Sequence, residues 1–162
     1  MHATGFHRHD HAACIEDGLE AIRAHCRAGR LRLTPLRERV AEILLAEHRA
    51  MGAYDVLDVL RAEGLAAQPP AAYRALDFLV AQGFAHKVER LNAFVACAHP
   101  GEADHAPAFL VCRACRSVAE APGAAVRGGL RDTATRAGFA LETMVIEAVG
   151  LCPDCARAEG VA

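Results

Sequence analysis

The sequence predicts an α+β fold in which a helical N-terminal half is followed by a β-hairpin and then by a small α/β unit. Three observations support this prediction. Apolar residues repeat at helical spacing as far as about residue 82, two short strand-like runs follow at 84–89 and 93–97, and two C-x-x-C pairs come later. The 162 residues, 53% of them hydrophobic, are enough for one compact domain or two small ones.

Four helices are predicted in the N-terminal half. Their expected ranges are about 13–28, 34–44, 53–63 and 69–82. Thr34 and Pro35 are typical of an N-cap followed by the first helical position, so they mark the start of the second helix. Cys26 lies on the apolar face of the first helix and is therefore expected in the core.

The remaining elements predict two domains. A hairpin turn around 90–92 joins the two strand-like runs, and helices followed by a hairpin are typical of a winged helix-turn-helix domain. We expect this DNA-binding domain at 1–97, a hinge linker at 98–107 and a dimerisation and zinc-binding domain at 108–162. The last domain should contain strands at 108–111 and 117–121, a helix at 124–137 and a long strand at 139–149. An exposed sheet edge on so small a unit favours pairing with a second copy as a homodimer.

The two C-x-x-C pairs are the strongest chemical signal in the chain. Cys112 and Cys115 form the first pair, Cys152 and Cys155 form the second, and 36 residues separate the pairs. Two residues between cysteines allow both sulfurs to face one ion, and two such pairs complete the tetrahedral shell that Zn²⁺ prefers. A redox role needs only one pair, so the pattern predicts a structural zinc site, with redox chemistry or coincidence as the alternatives.

A second metal site is predicted across the hairpin. His86 and Cys97 are equidistant from the expected centre of the turn, so they should lie opposite each other with Cβ atoms about 4.5–5.5 Å apart. With His105 and Glu120 they would form a set of one sulfur, two nitrogens and one oxygen that bridges both domains. The thiolate favours zinc over iron or manganese, and an ion held there would act as a switch. The alternative is a buried cysteine, a surface histidine and two solvated polar groups.

Tyr73 and Arg74 are candidates for DNA recognition. On a helical wheel the apolar face of the fourth helix comprises Ala72, Leu76, Leu79 and Val80, extended by Ala75 and Phe78. Tyr73 and Arg74 lie on the opposite arc, in the first turns of a helix that can enter a major groove. There Arg74 can grip a guanine, while Tyr73 reaches a phosphate or a thymine methyl. In isolation both would be ordinary surface residues.

The charge pattern gives only a weak signal. The net charge of −2 offers no general argument for nucleic acid. Six arginines cluster within seventeen positions, namely Arg23, Arg27, Arg30, Arg32, Arg37 and Arg39. The cluster is either a phosphate-facing patch or a solvated helix face.

The cellular compartment is predicted from the N-terminus and the cysteines. No apolar run approaches eighteen residues, and four histidines occupy the region where a signal peptide would need an apolar core: His2, His7, His9 and His11. These histidines form either a weak metal tract or a disordered end. We therefore expect a cytoplasmic protein without a membrane partner, whose seven cysteines serve as metal ligands and buried thiols.

Several segments jointly resemble the ferric uptake regulator family, and within it the zinc uptake regulator branch. They are 32–37, 69–79, 83–89 and both C-x-x-C pairs, and the resemblance covers roughly 15–156. It implies a dimeric bacterial repressor with an N-terminal winged helix and a C-terminal dimerisation domain. The expected function is a zinc-loaded homodimer that binds palindromic operator DNA and represses zinc-uptake genes. No enzymatic activity and no small-molecule substrate are expected.

The resemblance also implies roles for individual residues. The structural zinc ligands would be Cys112, Cys115, Cys152 and Cys155. The regulatory zinc ligands would be His86, Cys97, His105 and Glu120, which gives two zinc ions per chain. Operator DNA would be contacted by Tyr54, Tyr73 and Arg74. Asp58 and Arg61 resemble positions that form salt bridges between neighbouring dimers, and their alternative role is an intrahelical pair of about 0.2–0.5 kcal/mol.

The chain also departs from the iron-sensing branch of the family. That branch carries a His-His-Asp-His cluster before the first cysteine pair, whereas this chain has only His99 and His105 in the segment 99–105. Sensors of iron, nickel or peroxide are the alternatives with the same fold. A zinc-dependent hydrolase, with Glu120 as its base, is the alternative of a different class. The helix-turn-helix would have no purpose in such an enzyme.

Overall fold

The computed structural model describes residues 11–47, 49–65, 68–100 and 107–161. These residues divide into two compact units, one within Arg8–Ala103 and the other within Asp104–Ala162. We refer to them as the N-unit and the C-unit. In the part of the chain that the structure describes, no helix has the length and apolarity needed to cross a membrane.

The N-unit has the predicted order of four helices and a hairpin. Its elements are α1 (His11–Ala28), α2 (Pro35–Ala46), α3 (Ala53–Ala62), α4 (Pro69–Ala81), β1 (Ala85–Val88) and β2 (Ala93–Ala96). Thr34 is the N-cap of α2, as predicted, because its hydroxyl accepts a hydrogen bond from the Arg37 N–H at 3.3 Å. Met51 and Phe94 exchange two backbone hydrogen bonds, so Met51 pairs antiparallel with β2 as a one-residue third strand. Together these elements form a winged helix-turn-helix.

A single apolar core holds the helices of the N-unit together. Cys26 is buried in this core, as predicted, with 3% of its surface exposed. Gly18 allows α1 to lie close to α2, because a Cβ at this position would be 2.8 Å from the side chain of Leu45. Burial of the apolar faces of α1 to α4 is therefore the main source of stability in this unit.

The buried face of α4 is narrower than the sequence predicts. Its buried residues are Ala72, Ala75, Leu76 and Leu79. The prediction that Val80 belongs to this face was wrong, since Val80 is 36% exposed. At 100° per residue the buried arc is about 100° wide, and Val80 lies about 40° beyond its edge at Leu76. Tyr73 and Arg74 lie on the exposed side, as predicted.

The register of the hairpin also differs from the prediction. His86 pairs with Val95 rather than with Cys97, so the predicted register was wrong by two residues. The strands are joined by a 3₁₀ turn at Glu89–Leu91, after which Asn92 adopts a left-handed conformation with φ of 44°. This turn moves the centre of the hairpin one position toward the N-terminus. His86 and Cys97 consequently become diagonal neighbours on one face of the hairpin.

The C-unit is a three-stranded sheet with two helices. Its elements are β3 (Pro107–Cys112), β4 (Val118–Pro122), α5 (Ala124–Arg136), β5 (Glu147–Gly150) and α6 (Pro153–Glu159). The strand order is β4-β3-β5, in which β3 pairs antiparallel with β4 and parallel with β5. The predicted β-β-α-β order is confirmed, and α6 is an element that the sequence did not predict.

The final strand is shorter than the sequence predicts. We expected a strand over 139–149, but only Glu147–Gly150 forms β5. Its partner β3 begins at Pro107, and Phe109 is already opposite Glu147. The residues before position 145 therefore extend past the part of β3 that could pair with them. Alternating apolar residues favour a strand, but within a single chain the strand forms only where a hydrogen-bonding partner exists.

The core of the C-unit is small. Its buried apolar side chains are Phe109, Val111, Val118 and Ala119, together with Cys112 and Cys152. The helix α5 has no buried residue. Six large apolar side chains of the described part of this unit are about half exposed or more: Val126, Leu130, Phe139, Val145, Val149 and Val161. A single chain therefore leaves much of the apolar surface of the C-unit in contact with water.

Candidate metal centres and nucleic-acid interface

The four cysteines of the two C-x-x-C pairs meet in the C-unit. The sulfur atoms of Cys112, Cys115, Cys152 and Cys155 all lie within 4.8 Å of one another. Cys115 Sγ is 3.7 Å from Cys152 Sγ, and all four cysteines are free thiols rather than disulfides. A tetrahedral zinc site with Zn–S bonds of about 2.3 Å has sulfur–sulfur edges of about 3.8 Å. The number, type and spacing of these ligands therefore fit zinc.

Local backbone structure shapes each cysteine pair. Cys112 ends β3, and the chain turns immediately after it because the Arg116 N–H donates to the Cys112 carbonyl at 3.0 Å. Cys152 is the N-cap of α6, and Pro153 occupies the first helical position, where its fixed φ is favourable. Each pair consequently combines one buried sulfur with one more accessible sulfur.

Backbone N–H groups stabilise a thiolate in this cluster. Burial raises the pKa of the Cys112 thiol, but N–H groups of Cys115, Cys152 and Ala114 outweigh this effect and lower the pKa to about 6. Hydrogen bonds with the sulfurs of Cys152 and Cys115 raise the pKa of Cys155 to about 12. The cluster therefore favours one thiolate and disfavours a second negative charge beside it. A bound zinc ion would supply the positive charge that stabilises all four thiolates.

The four residues predicted for the second metal site belong to different parts of the chain. In the N-unit, the ligand atoms of His86 and Cys97 lie within 4.8 Å of each other. Cys97 is buried, and its sulfur accepts a hydrogen bond from the His99 N–H at 3.4 Å. In the C-unit, Glu120 lies on β4 and is buried, with 7% of its surface exposed. His105 lies outside the described residues.

The predicted DNA-contacting residues occupy the exposed faces of α3 and α4. Tyr54 is 62% exposed in the first turn of α3, and Tyr73 is 42% exposed on α4 beside the exposed Arg74. Asp58 and Arg61 form an intrahelical ion pair at 3.7 Å, which is the alternative role considered for them. Both side chains are more than half exposed, so this loose pair contributes little to stability.

Most of the arginine cluster is engaged in contacts within the N-unit. Arg23 pairs with Glu38, Arg27 with Glu20, and Arg39 with both Glu42 and Glu63. The Arg37 guanidinium covers the ring of Phe78. These contacts favour the solvated helix face over the phosphate-facing patch. Arg37 shares its charge with the other arginines of the cluster, and its contact with α4 was not predicted from the sequence. A basic residue in the first turn of a helix, where the dipole disfavours it, was the available signal.

The chain combines a winged helix-turn-helix with a small α/β unit that contains four clustered cysteines. It is therefore a winged-helix protein with a site suited to zinc. The zinc uptake regulation protein of Escherichia coli (strain K12) is 42% identical over 134 residues, covering 83% of this chain and 78% of that protein. The chain therefore belongs to the zinc uptake regulator branch of the ferric uptake regulator family, which confirms the resemblance found in the sequence.

Solved structures are also similar to this chain. A zinc uptake regulator complexed with zinc and DNA has a TM-score of 0.85 and 39% identity, covering 90% of this chain and 97% of its own. Holo XcZur has a TM-score of 0.79 and 40% identity, covering 87% of this chain and 98% of its own. No model of a known protein family matches the sequence.

Proposed function

We propose that this chain is a zinc-responsive transcriptional repressor whose zinc-loaded homodimer binds palindromic operator DNA and represses zinc-uptake genes. The observation that carries this proposal is the pairing of His86 with a buried Cys97 on the hairpin of a winged helix-turn-helix. This pair places a soft thiolate and an imidazole, both suited to zinc, directly on a DNA-binding fold. The similarity to a zinc uptake regulator complexed with zinc and DNA supports the same function.

DNA recognition is assigned to the winged helix-turn-helix, for which we propose residues 1–97. Arg74 carries a planar fork of donors that matches the O6 and N7 acceptors of guanine in a major groove. Tyr54 and Tyr73 are exposed phenols that can donate to phosphates or contact thymine methyl groups. We assign Asp58 and Arg61 to contacts between neighbouring dimers, because both side chains are exposed on α3 and only loosely paired.

Two zinc ions per chain are proposed. Cys112, Cys115, Cys152 and Cys155 hold the structural ion, because four sulfurs at this spacing match a closed tetrahedral site. A second, regulatory ion is assigned to His86, Cys97, His105 and Glu120. One thiolate and one carboxylate in this set balance the charge of Zn²⁺. Glu120 adds a buried carboxylate oxygen to the set, which is one of the ligand types that zinc binds.

His86 and Cys97 precede the proposed hinge at 98–107, His105 lies within it, and Glu120 follows it. A filled regulatory site therefore restrains the two units relative to each other. If the restrained arrangement is the one that fits the operator, zinc raises operator affinity by increasing the population of that arrangement. The contribution of this chain is the placement of the four ligands, and no catalytic residue or small-molecule substrate is required.

A homodimer is supported by the surface of the C-unit, for which we propose a dimerisation domain at 108–162. A helix without buried residues and six exposed large apolar side chains are unusual on a monomer and typical of an interface. A two-fold symmetric dimer also matches a palindromic operator. A repressor of this kind acts on chromosomal DNA, and we therefore place it in the cytoplasm.

Operator binding against buffered free zinc tests the proposal. Cys97→Ser should raise the free zinc needed for half-maximal operator binding by at least about a hundredfold, since even outer-shell changes cost about 10–100-fold. Cys26→Ser is the matched control, because Cys26 is an equally buried cysteine of the N-unit that we assign to the core. An unchanged zinc requirement in Cys97→Ser would refute the regulatory site.

The identity of the metal can be tested with the same assay. Operator binding should be activated by Zn²⁺ at a lower free concentration than by Fe²⁺, Mn²⁺ or Ni²⁺, because the thiolate of Cys97 favours zinc among these ions in a tetrahedral site. Activation by iron or nickel at a lower free concentration than zinc would favour a different sensor of the same fold.

A further inference from the structure

The rotation of α4 about its own axis determines the direction in which Arg74 points. Phe78 follows Arg74 by four residues, so the two side chains lie on neighbouring turns of one helix face. A rotation of about 10° displaces a group at the side-chain envelope, about 6 Å from the axis, by about 1 Å. This displacement is larger than the range of about 0.5 Å over which a hydrogen-bond distance remains favourable. A residue that restrains the position of Phe78 therefore also restrains the direction in which the Arg74 side chain points.

Arg37 makes such a contact. Its Cζ atom lies 3.8 Å from the centroid of the Phe78 ring, within the range of a cation–π interaction. Its Nη1 atom also donates to the Arg32 carbonyl at 2.6 Å, which holds the guanidinium in place from the segment before α2. Arg37 lies in the first turn of α2, where the helix dipole disfavours a positive charge. The ring and the carbonyl offset this cost.

The ring of Phe78 has a second neighbour. Phe84 meets it edge-on with centroids 6.3 Å apart, and His25 of α1 meets Phe84 edge-on with centroids 5.2 Å apart. Arg37 and Phe84 therefore both contact the ring of Phe78 on α4. Aromatic contacts of this kind have preferred geometries, so they restrict rotation of the helix more than aliphatic packing would.

We infer that Arg37 is a positioning residue, which holds α4 at the rotation that aims Arg74 at a base edge. The inference rests on the proposed function, because it requires α4 to read DNA. It predicts that Arg37 contributes to discrimination between operator and random DNA without contacting either. A direct phosphate contact by Arg37 would instead strengthen binding to both DNAs equally.

The test measures the affinity of the full-length, zinc-loaded protein for an operator fragment and for random DNA of equal length. Arg37→Met keeps an unbranched stem but removes the cation. We expect it to lower operator affinity roughly five- to tenfold, which is within the range of affinity lost when one base contact is removed. Its affinity for random DNA should change less than about twofold. Arg32→Met, which removes the same charge at an exposed position, is the matched control and should leave the ratio of the two affinities unchanged.

Phe78→Leu should reproduce the loss of discrimination between operator and random DNA. Arg37→Met should cause no further loss in the Phe78→Leu background, because both variants break the same contact between Arg37 and Phe78. Equal losses on both DNAs, with a smaller dependence on salt, would overturn the inference. An unchanged affinity ratio in Arg37→Met would also overturn it. Arg74→Ala separates the two proposals. If Arg74→Ala also leaves the ratio unchanged, the assignment of DNA recognition to α4 fails as well.

Discussion

Removing zinc from the four-cysteine site should unfold the C-unit while the N-unit remains folded. The two units differ strongly in how much apolar surface they bury within one chain. Among the residues that the structure describes, the N-unit has a core of nineteen buried residues. The described residues of the C-unit bury three large apolar side chains, namely Phe109, Val111 and Val118.

The expected loss of C-unit stability on zinc removal follows from this difference in buried apolar surface. Burial of three such side chains contributes about 5–9 kcal/mol at about 1.5–3 kcal/mol each. The apparent binding free energy of a structural zinc site is about 10–16 kcal/mol, and it becomes folding free energy when the site does not exist in the unfolded chain. The metal therefore contributes more than the apolar core of the C-unit.

Hydrogen exchange with and without a strong zinc chelator measures the effect in each unit separately. Amides of β3 should lose their protection when zinc is removed, whereas amides of α2 should retain theirs. Cys152→Ser should show the exchange pattern of the chelated protein even when zinc is added. Cys26→Ser, which changes another buried cysteine, should keep the zinc-loaded pattern. Protected β3 amides in the chelated protein would show that the C-unit does not need zinc to fold.

Three further predictions concern the N-unit, and urea unfolding can test all of them. Leu76→Ala should lower the free energy of unfolding by about 2–5 kcal/mol, whereas Val80→Ala should lower it by about 1 kcal/mol or less. Equal losses in the two variants would contradict the observed rotation of α4. Thr34→Ala should cost about 0.5–2 kcal/mol because it removes the N-cap, while Thr34→Ser should restore most of the loss. Hydrogen bonding to Arg39 lowers the pKa of Glu63 below its ordinary value of 4.5. The ion pair therefore contributes its full stabilisation above pH 4.5. This stabilisation is lost as the pH falls through the lowered pKa of Glu63 in the folded protein. The stability difference between wild type and Glu63→Gln should therefore narrow below about pH 4.5, and a difference independent of pH would contradict the ion pair.

Features that depend on local sequence were predicted well. The N-cap at Thr34 and the helices of the N-unit follow from contacts between residues a few positions apart, which a sequence pattern records directly. The clustering of the four cysteines was also predictable, because each pair already carries the geometry of half a tetrahedral site.

Features that depend on partners distant in sequence were predicted less well. The predicted hairpin register was wrong because the register depends on the 3₁₀ turn and the left-handed Asn92, and neither has a clear sequence signature here. The strand at 139–149 was too long because its length depends on where β3 begins. Arg37 was missed as a contact of α4 because its partner Phe78 lies 41 positions away, which no helical periodicity reveals.

The parallel pairing of β3 with β5 has a consequence for how this chain can vary. Cys112 is opposite Gly150, so both strands end at the same edge of the sheet, where β3 ends at the first cysteine pair and β5 is followed by the second. The two pairs are thus brought together by strand register and not by the 36 residues between them. Lengthening the surface loop after α5 should leave the four sulfurs in place. A distance between the two cysteine motifs is consequently a poor criterion for recognising this zinc site in other sequences, and the strand that precedes each motif is a better one.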